Sequence, residues 1–268
     1  MMDATQRRRR FADLHAADDL FVMPNPWDVG SAKLLAHAGA PALATTSAGF
    51  AWTLGVDDQQ VTLAQLLEHV ASIANAVDVP LNVDSERLYA DDLDGVAATV
   101  RALHDAGAAG CSIEDYDPAT GAIDPIELAA ERVAAAADAA HATDDRLVLT
   151  ARCENFLYGV ADLDDTIERL AAYRDAGADC LYAPGLSTVE QIRAVVDAVE
   201  RPVNVLAWPN GPTVAEISAA GARRVSVGSL LASAAYGAAM AGWRELTTAG
   251  TSSYRSNGIR PDDRAAFG

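Results

Sequence analysis

The sequence predicts a single-domain α/β protein with the architecture of a (β/α)8 TIM barrel. A pattern of helix, Ala-Gly-Ala and strand recurs four times, with its central glycine at Gly39, Gly107, Gly177 and Gly221. Glycine tolerates the positive φ that often ends a helix, so each repeat predicts a junction between a helix and the next strand. Alternating helices and strands predict a parallel sheet, and eight such units in about 230 residues favour a closed barrel over an open sheet.

Eight short apolar segments are the predicted strands. Each is bounded by polar residues, which is typical of strands covered on both faces. They lie around residues 21–25, 42–47, 81–86, 110–115, 147–153, 180–184, 203–208 and 224–228. Amphipathic stretches such as VTLAQLLEHVASIANAV and DDTIERLAAYRDA separate the strands and are predicted to be helices.

Three parts of the chain are expected. Residues 1–20 form an N-terminal helical segment, residues 21–246 form the barrel, and residues 247–268 form a polar C-terminal tail that we expect to be peripheral or partly disordered. The basic run from Arg7 to Arg10 fits a solvated face of the first helix. No apolar core follows it, so the start does not have the pattern of a secretory signal.

Composition argues against several classes of function. The formal net charge is −18, which disfavours nucleic acid as the main partner. The sequence has no apolar run of about 18 residues, so no membrane-spanning helix is predicted. The three cysteines form no CxxC pair and fit reduced thiols, and we therefore expect a cytoplasmic protein.

The residues that follow the strands indicate the chemistry, because barrel enzymes place their active sites at the carboxyl ends of the strands. The only lysine, Lys33, lies in a predicted helix, so a Schiff-base mechanism is not expected. The five histidines also fall in helical patterns. Their positions disfavour zinc chemistry and a histidine base.

Acidic residues dominate the strand ends. Asp84 and Glu86 follow the third strand, Glu114 and Asp115 end the fourth, and Asp58 lies in the loop after the second. Several oxygen ligands without soft ones suit a hard divalent cation such as Mg²⁺, with Mn²⁺ as an alternative and water as further ligands. Such acids also cap helices or pair with a cation. We predict a metal site because two neighbouring strand ends carry acids.

Arg152 is the one cation at a strand end. A guanidinium that faces a metal-bound carboxylate substrate would hold it and stabilise developing negative charge. The alternative is an internal ion pair with Glu114 or Glu154. The segment TTSAG, residues 45–49, offers hydroxyls and backbone N–H groups that suit a small oxyanion. The predicted substrate contacts are Asn25, Thr46, Ser47, Ala48, Gly49 and Arg152.

Several motifs, in this order, resemble those of the isocitrate lyase/phosphoenolpyruvate mutase superfamily. They are NPWDVGSAKLLAHAGAPALATTSAG, NVDSE, SIEDYDP, LTARCE and PVNVLAWPNGP. The resemblance implies a barrel that binds Mg²⁺, acts on small α-oxo or α-hydroxy carboxylates through an enolate, and forms a homo-oligomer, here a dimer or tetramer. It implies metal-associated acids at Asp84, Glu86, Glu114 and Asp58, substrate-carboxylate contacts at Ser47, Ala48 and Gly49, and an active-site arginine at Arg152.

The sequence departs from the superfamily pattern in two loops. Isocitrate and methylisocitrate lyases carry a K-[KR]-C-G-H loop with an acid cysteine, whereas residues 115–125 read DYDPATGAIDP, so neither activity is expected. The lysine and asparagine of phosphoenolpyruvate mutases are missing there too, which leaves Tyr116 as the proton donor nearby. Relatives often have D-x-[DE]-x-G-Y-G, where this chain has Leu88 and Ala90 and also places Arg87 beside the acids.

The sequence therefore predicts a Mg²⁺-dependent carbon–carbon lyase or decarboxylase that acts on a small 2-oxo or 2-hydroxy carboxylate and gives a pyruvate-like product through a metal-stabilised enolate. Decarboxylation ranks first because it needs enolate stabilisation most and a loop acid least. Two alternatives stay open: P–C chemistry of the phosphoenolpyruvate mutase or phosphonopyruvate type, and a catalytically degraded barrel that binds a 2-oxo acid.

Overall fold

Eight parallel strands form one sheet that curves round a central axis, and at least one helix follows each strand. The computed structural model describes residues 2–268 and bears out the predicted (β/α)8 barrel. The barrel strands are β1 (Phe21–Met23), β2 (Leu43–Ala44), β3 (Leu81–Val83), β4 (Gly110–Glu114), β7 (Val148–Arg152), β8 (Cys180–Tyr182), β9 (Val203–Leu206) and β10 (Arg224–Ser226). Two further strands, β5 (Tyr116–Asp117) and β6 (Ala122–Ile123), form a separate antiparallel pair that the sequence did not predict.

The barrel strands pair in the order β1-β10-β9-β8-β7-β4-β3-β2. The two ends of this order, β1 and β2, are joined by a hydrogen bond of 3.1 Å from the N–H of Ala44 to the carbonyl oxygen of Pro24, so the sheet is nearly closed. The observed strands are shorter than the predicted segments because the chain enters the following loop or helix earlier. Thr46, for example, caps the helix after β2.

Helices surround the sheet, and all of them except α6 and α10 begin at a side chain that accepts a backbone hydrogen bond. They are α1 (Ala4–Ala16), α2 (Val29–His37), α3 (Ser47–Leu54), α4 (Leu63–Ala76), α5 (Leu93–Asp105), α6 (Ile126–Ala140), α7 (Leu163–Asp175), α8 (Val189–Val199), α9 (Val214–Ala219) and α10 (Leu230–Thr248). Asp28 and Thr62, at the starts of α2 and α4, form reciprocal capping boxes with Ser31 and Gln65. The main apolar core lies between the helices and the outer face of the sheet.

Helix α1 closes the amino-terminal end of the barrel. Phe11, fully buried, packs there with Met23 and Val148 from the strands. The expectation that residues 7–10 form a solvated face is wrong for two of the arginines. Arg7 donates to the carbonyl oxygens of residues 74 and 77, and Arg8, 5% exposed, donates to that of residue 108. These bonds fasten α1 to the helices and the sheet.

The last helix, α10, is mostly uncovered. It runs to Thr248, and two 3-10 turns (Ser253–Asn257 and Asp263–Phe267) follow it. Only Ala232 and Gly242 of α10 are buried, although the helix is rich in apolar side chains. Its exposed large apolar residues are Leu231, Tyr236, Met240, Trp243 and Leu246. None of the helices in residues 2–268 combines the length and apolarity needed to cross a membrane.

Candidate active site

A cavity of about 180 Å³ lies inside the carboxyl end of the barrel. It extends between the loops that follow the strands and the inward-facing side chains below them. Seven of the residues predicted for the site border it: Asn25, Thr46, Ser47, Ala48, Asp58, Asp84 and Arg152. The other predicted residues, Gly49, Glu86, Glu114 and Tyr116, do not line this cavity.

Arg152, the last residue of β7, lies among three carboxylates. Its Nη1 is 2.5 Å from Oδ1 of Asp84 and 3.2 Å from Oε2 of Glu114, and its Nε is 2.9 Å from Oε1 of Glu154. The internal ion pairs left open as an alternative are therefore present, and a guanidinium occupies the position between the acids. The Nη2 group has no protein acceptor in residues 2–268. One cation facing three carboxylates leaves the cluster with excess negative charge.

Burial and mutual repulsion raise the pKa values of the acids around Arg152. Burial raises the pKa of Glu114 well above its usual value; Arg152 opposes this shift, and the charges of Glu154 and Asp84 add to it. Burial likewise raises the pKa of Glu154 to about 7. A carboxylate taken out of water without full compensation favours its protonated form. The cluster would therefore be stabilised by a further cation.

Two further acids lie close enough to Asp84 to be affected by its charge: Asp58, which borders the cavity, and Glu86, which does not. Burial, with repulsion from Asp84, raises the pKa of Glu86 to about 8 and also raises that of Asp58. The Oε1 atom of Glu86 is buried and has no hydrogen-bond partner. In residues 2–268 no three acidic, histidine or cysteine side chains converge closely enough to hold a metal directly. The donor set nevertheless fits a hard divalent cation that keeps part of its water shell, because its groups are oxygen ligands with unrelieved negative charge.

The loop after β3 has an unusual backbone that orients Glu86. Glu86, Leu88 and Tyr89 have positive φ angles of 48°, 63° and 52°. Of the two positions where relatives often have glycine, Leu88 has a positive φ, whereas Ala90 is not among the positive-φ residues. Such conformations cost about 1–2 kcal/mol for a residue with a Cβ.

Buried contacts hold this strained loop in place. The hydroxyl of Ser85 donates to the carbonyl oxygen of Ser112 at 2.6 Å, and Arg132 donates to the carbonyl oxygens of residues 87 and 90. Arg87 turns towards Asp124, with two bonds of 2.9 and 3.1 Å. The structure therefore pairs Arg87 with Asp124 rather than with the acids of the site.

Asp115 and Tyr116, at the end of the fourth strand, make contacts away from the cavity. Asp115 accepts hydrogen bonds from the hydroxyl of Tyr173, at 2.6 Å, and from the N–H of Glu154, at 2.8 Å. It therefore joins the loops to α7 rather than facing the cavity. Tyr116 stacks on Tyr158 with ring centroids 3.6 Å apart. The predicted proton donor thus belongs to an aromatic pair in the loop and does not border the cavity.

The start of α3 lies beside the cavity, but part of it is already occupied. The N–H of Ser47 donates to Oδ2 of Asp84 at 2.9 Å, and the N–H of Gly49 donates to Oγ1 of Thr46 at 3.4 Å. A Cβ on Gly49 would lie 2.5 Å from Cγ2 of Thr46, so this glycine is required for packing. The N–H of Ala48 has no protein acceptor in residues 2–268. It is therefore an available donor at the edge of the cavity.

Asn25 joins three strand ends. Its Nδ2 donates to the carbonyl oxygen of Thr45 at 2.8 Å, and its Oδ1 accepts the N–H groups of Val227 and Gly228 at 2.9 and 3.0 Å. The side chain therefore links β1 to β2 and β10, where the sheet closes. One Nδ2 hydrogen is left for a ligand.

Tyr182 and Trp208 also border the cavity, although neither was predicted as a site residue. Arg152 lies over the ring of Tyr182, 5.4 Å from its centroid, which is within the range of a cation–π contact. The indole Nε1 of Trp208 is buried and has no partner. The sequence did contain a signal for these two residues, because both lie near the ends of predicted strands. Their two-residue periodicity with Leu206 and Cys180 directs them inward.

Comparisons with known proteins agree with this geometry. The profile of the phosphoenolpyruvate phosphomutase family matches residues 11–247. Protein Rv1998c of Mycobacterium tuberculosis H37Rv is 35% identical over 222 residues, which are 82% of each chain. An oxaloacetate decarboxylase of Paraburkholderia xenovorans LB400 is 33% identical over 219 residues, 78% of this chain and 71% of the decarboxylase.

Solved structures give the same result. A lyase/mutase candidate from Burkholderia cenocepacia J2315 superposes with a TM-score of 0.94 and 44% identity, covering 98% of this chain and 96% of the other. The matched span includes the barrel and every strand end that borders the cavity. The chain therefore belongs to the phosphoenolpyruvate phosphomutase family, within the isocitrate lyase/phosphoenolpyruvate mutase superfamily of lyases and mutases.

Proposed function

We propose that the protein is a Mg²⁺-dependent carbon–carbon lyase that decarboxylates a small 2-oxo dicarboxylate such as oxaloacetate and releases pyruvate. The observation that carries the proposal is the cavity of about 180 Å³ at the strand ends, which is bordered by Asp58, Asp84 and Arg152. Its small volume fits a small carboxylate, and the likeness to an oxaloacetate decarboxylase supports the reaction class. The absence of an acid cysteine in residues 115–125 argues against the isocitrate lyase reaction.

The metal would be held by carboxylate oxygens of Asp84, Glu86 and Asp58 and by water. Glu114, which lies outside the cavity, would add negative charge near the metal. When bound, Mg²⁺ neutralises the oxyanion of an enolate as it develops. Neighbouring groups of the protein orient the acids that would bind the metal. Asp84 is fixed by the N–H of Ser47 on one oxygen and by Arg152 on the other.

The substrate would be bound by the unused donors that border the cavity. The N–H of Ala48 and the indole N–H of Trp208 would hold its carboxylate. Arg152, held by three carboxylates, directs its free Nη2 donors at the 2-oxo group and stabilises negative charge there. Loss of CO₂ leaves an enolate, which takes its proton from water because Tyr116 lies outside the cavity.

Replacement of Glu114 tests this proposal. With oxaloacetate and saturating Mg²⁺, Glu114→Gln is expected to lower the rate of pyruvate release by about 100-fold or more, because the charge that balances Arg152 and the metal is lost. The matched control is Glu127→Gln, which removes an exposed acid from the first turn of α6. Unchanged turnover in Glu114→Gln, with the control also unchanged, would contradict the metal assignment.

A degraded barrel that binds a 2-oxo acid without turning it over is the second candidate. It is favoured by the observation that Arg152 is already paired with three carboxylates and that Tyr116 is stacked on Tyr158. Such a protein would bind oxalate, an enolpyruvate mimic, in the presence of Mg²⁺ but would release no pyruvate from oxaloacetate. The turnover assay therefore separates the two candidates.

We also infer that the protein forms a homo-oligomer through α10. Tyr236, Met240 and Trp243 recur at positions i, i+4 and i+7, so they share one face of the helix. They are 42%, 48% and 61% exposed. An apolar face of this kind is typical of an interface, and a second copy of the same chain is the partner expected from the family.

A further inference from the structure

Arg224, the first residue of β10, lies at the floor of the cavity inside the barrel. It is 2% exposed and borders the same cavity as Arg152. The two arginines differ in their surroundings. Arg152 is balanced by three carboxylates, whereas Arg224 forms no salt bridge within residues 2–268.

The partners of Arg224 are neutral. Its Nε donates to Oδ1 of Asn204 at 2.9 Å, its Nη2 donates to Oγ1 of Thr150 at 3.1 Å, and its Nη1 lies 3.0 Å from Nε2 of His15. Nδ1 of His15 lies 2.8 Å from the carbonyl oxygen of Phe11, so Nδ1 carries the proton and Nε2 accepts from Arg224. Three of the five guanidinium N–H groups are used, and two are left.

A buried cation without a counter-ion is costly, because its loss of hydration is not repaid by hydrogen bonds to neutral groups alone. Arg8, also buried, has Asp145 as its carboxylate partner. Arg132 donates to the carbonyl oxygens of residues 87, 90 and 91. Arg224 has neither a carboxylate nor a set of backbone carbonyls, and it faces a cavity.

An independent observation comes from Asn82, on the opposite side of the sheet order. It borders the cavity, is 4% exposed, and its Oδ1 atom has no hydrogen-bond partner. The two atoms of an amide are exchanged by a flip, and the flipped amide would present N–H donors at the unpartnered position. Buried polar groups are nearly always bonded, so the unpartnered amide is open to a water molecule or a ligand as its partner.

We infer that the floor of the cavity is a small-anion subsite centred on the guanidinium of Arg224. Two sources supply such an anion: the distal carboxylate of the bound substrate, or a free inorganic anion such as chloride or nitrate. The first source rests on the proposed function, since it requires a dicarboxylate whose 2-oxo end lies at Asp84 and Arg152. The second source does not depend on that function.

Four forms of the full-length chain test the subsite. Arg224→Met removes the cation. Asn204→Asp places a carboxylate at the atom that already lies 2.9 Å from Arg224 Nε, so it supplies an internal counter-ion with little change of shape. Asn257→Asp makes the same change of net charge at an exposed position and is the matched control. The fourth form is the wild type.

The first arm measures the midpoint temperature of thermal unfolding without Mg²⁺ or substrate analogue. Nitrate replaces the larger anion gluconate in steps at constant ionic strength. For a free-anion site, nitrate raises the midpoint of the wild type and of Asn257→Asp but not of Arg224→Met or Asn204→Asp. Because Asn204→Asp keeps Arg224 and nearly the same side-chain volume at the buried residue 204, its loss of response does not depend on whether Arg224→Met folds.

The second arm measures calorimetric binding of oxalate and of 3,3-difluorooxaloacetate in the presence of Mg²⁺. For a distal-carboxylate site, Asn204→Asp and Arg224→Met weaken binding of difluorooxaloacetate by about 10- to 100-fold, the range for a hydrogen-bonded charge, and leave the affinity for oxalate unchanged. Equal responses of all four forms in both arms would overturn the subsite. Failure of the wild type to bind oxalate with Mg²⁺ would instead overturn the proposed function, and the first arm would still decide the subsite.

Discussion

Arg152 shows how one residue organises the candidate site. The sequence identified it as the only cation at a strand end but left open whether it faces a substrate or neighbouring acids. In the structure it pairs with Asp84, Glu114 and Glu154, and its Nη2 group is free. These partners come from strands β3, β4 and β7 or the loops that follow them, so their distances depend on the closure of the barrel. Sequence spacing alone could not predict which acids contact Arg152.

His15 provides a prediction about pH at the residue scale. Burial, helped by the charge of Arg224 and opposed by Asp179, lowers the pKa of His15 to about 3. In the unfolded chain the pKa is about 6.5, so the unfolded state binds more protons between these values and the folded state loses stability as the pH falls from 6.5 towards 3. Above pH 6.5 this contribution to stability is fully present.

His15→Gln keeps an acceptor for Arg224 but does not titrate. Between pH 6.5 and 4.5, the free energy of unfolding of the wild type should fall by about 2–3 kcal/mol relative to the variant. Urea unfolding at several pH values measures this difference. A difference between the two proteins that does not change with pH would show that His15 is not buried as a neutral side chain.

At the scale of elements, the strands and helices were more predictable than the loops. Each barrel strand is a local apolar run before a polar end, and the cap at Thr62 is visible in the sequence. The antiparallel pair β5–β6 was not predicted, although Gly121 lies in its turn with a positive φ. The positive φ at Glu86, Leu88 and Tyr89 was less visible, because no glycine marks these three positions. Contacts from distant residues, such as those of Arg132, hold the loop and override its local preferences.

Substitution to glycine at two positive-φ positions separates the effect of backbone strain from that of side-chain burial. Leu88 has φ 63° and is fully buried, whereas Glu200, at the end of α8, has φ 51° and is exposed. Glu200→Gly should raise the free energy of unfolding by about 0.5–1 kcal/mol, since strain is relieved and no packing is lost. Leu88→Gly should lower it by about 1–3 kcal/mol, since lost burial exceeds the relief of strain.

Chemical denaturation of the two variants beside the wild type checks these signs. If Leu88→Gly raised the free energy of unfolding, the cost of the strained backbone would exceed the stabilisation from the buried Leu88 side chain. A destabilising Glu200→Gly would show that the end of α8 is not left-handed in solution.

The exposed face of α10 gives a prediction about assembly. Trp243→Asp, at the most exposed of its large apolar side chains, should dissociate the inferred homo-oligomer, because a charge cannot be buried in an apolar interface without a partner. Sedimentation velocity measures the change in mass. Leu93→Asp, at an exposed apolar position that begins α5, is the matched control and should leave the mass unchanged. A monomeric wild type would contradict the inference.

At the scale of the whole molecule, the barrel and the family were predictable, and part of the site was as well. Repeated junctions at Gly39, Gly107, Gly177 and Gly221 are local in sequence, so they predicted the alternating fold. The cavity floor was not predictable, because His15, Thr150 and Arg224 come from three distant parts of the chain and meet only where α1 closes the barrel. The acids at the strand ends were predicted, whereas their ion pairs with Arg152 were only an alternative.

The central claim is that the acids at the strand ends form a metal-dependent site for an enolate. Calorimetric titration of the wild type with oxalate, with and without Mg²⁺, tests it most directly. We predict tight binding with Mg²⁺ and at least about 100-fold weaker binding without it, because oxalate then faces Asp58 and Asp84 without a metal ion to offset their charge. Equal affinity in both conditions, or no binding in either, would contradict the claim.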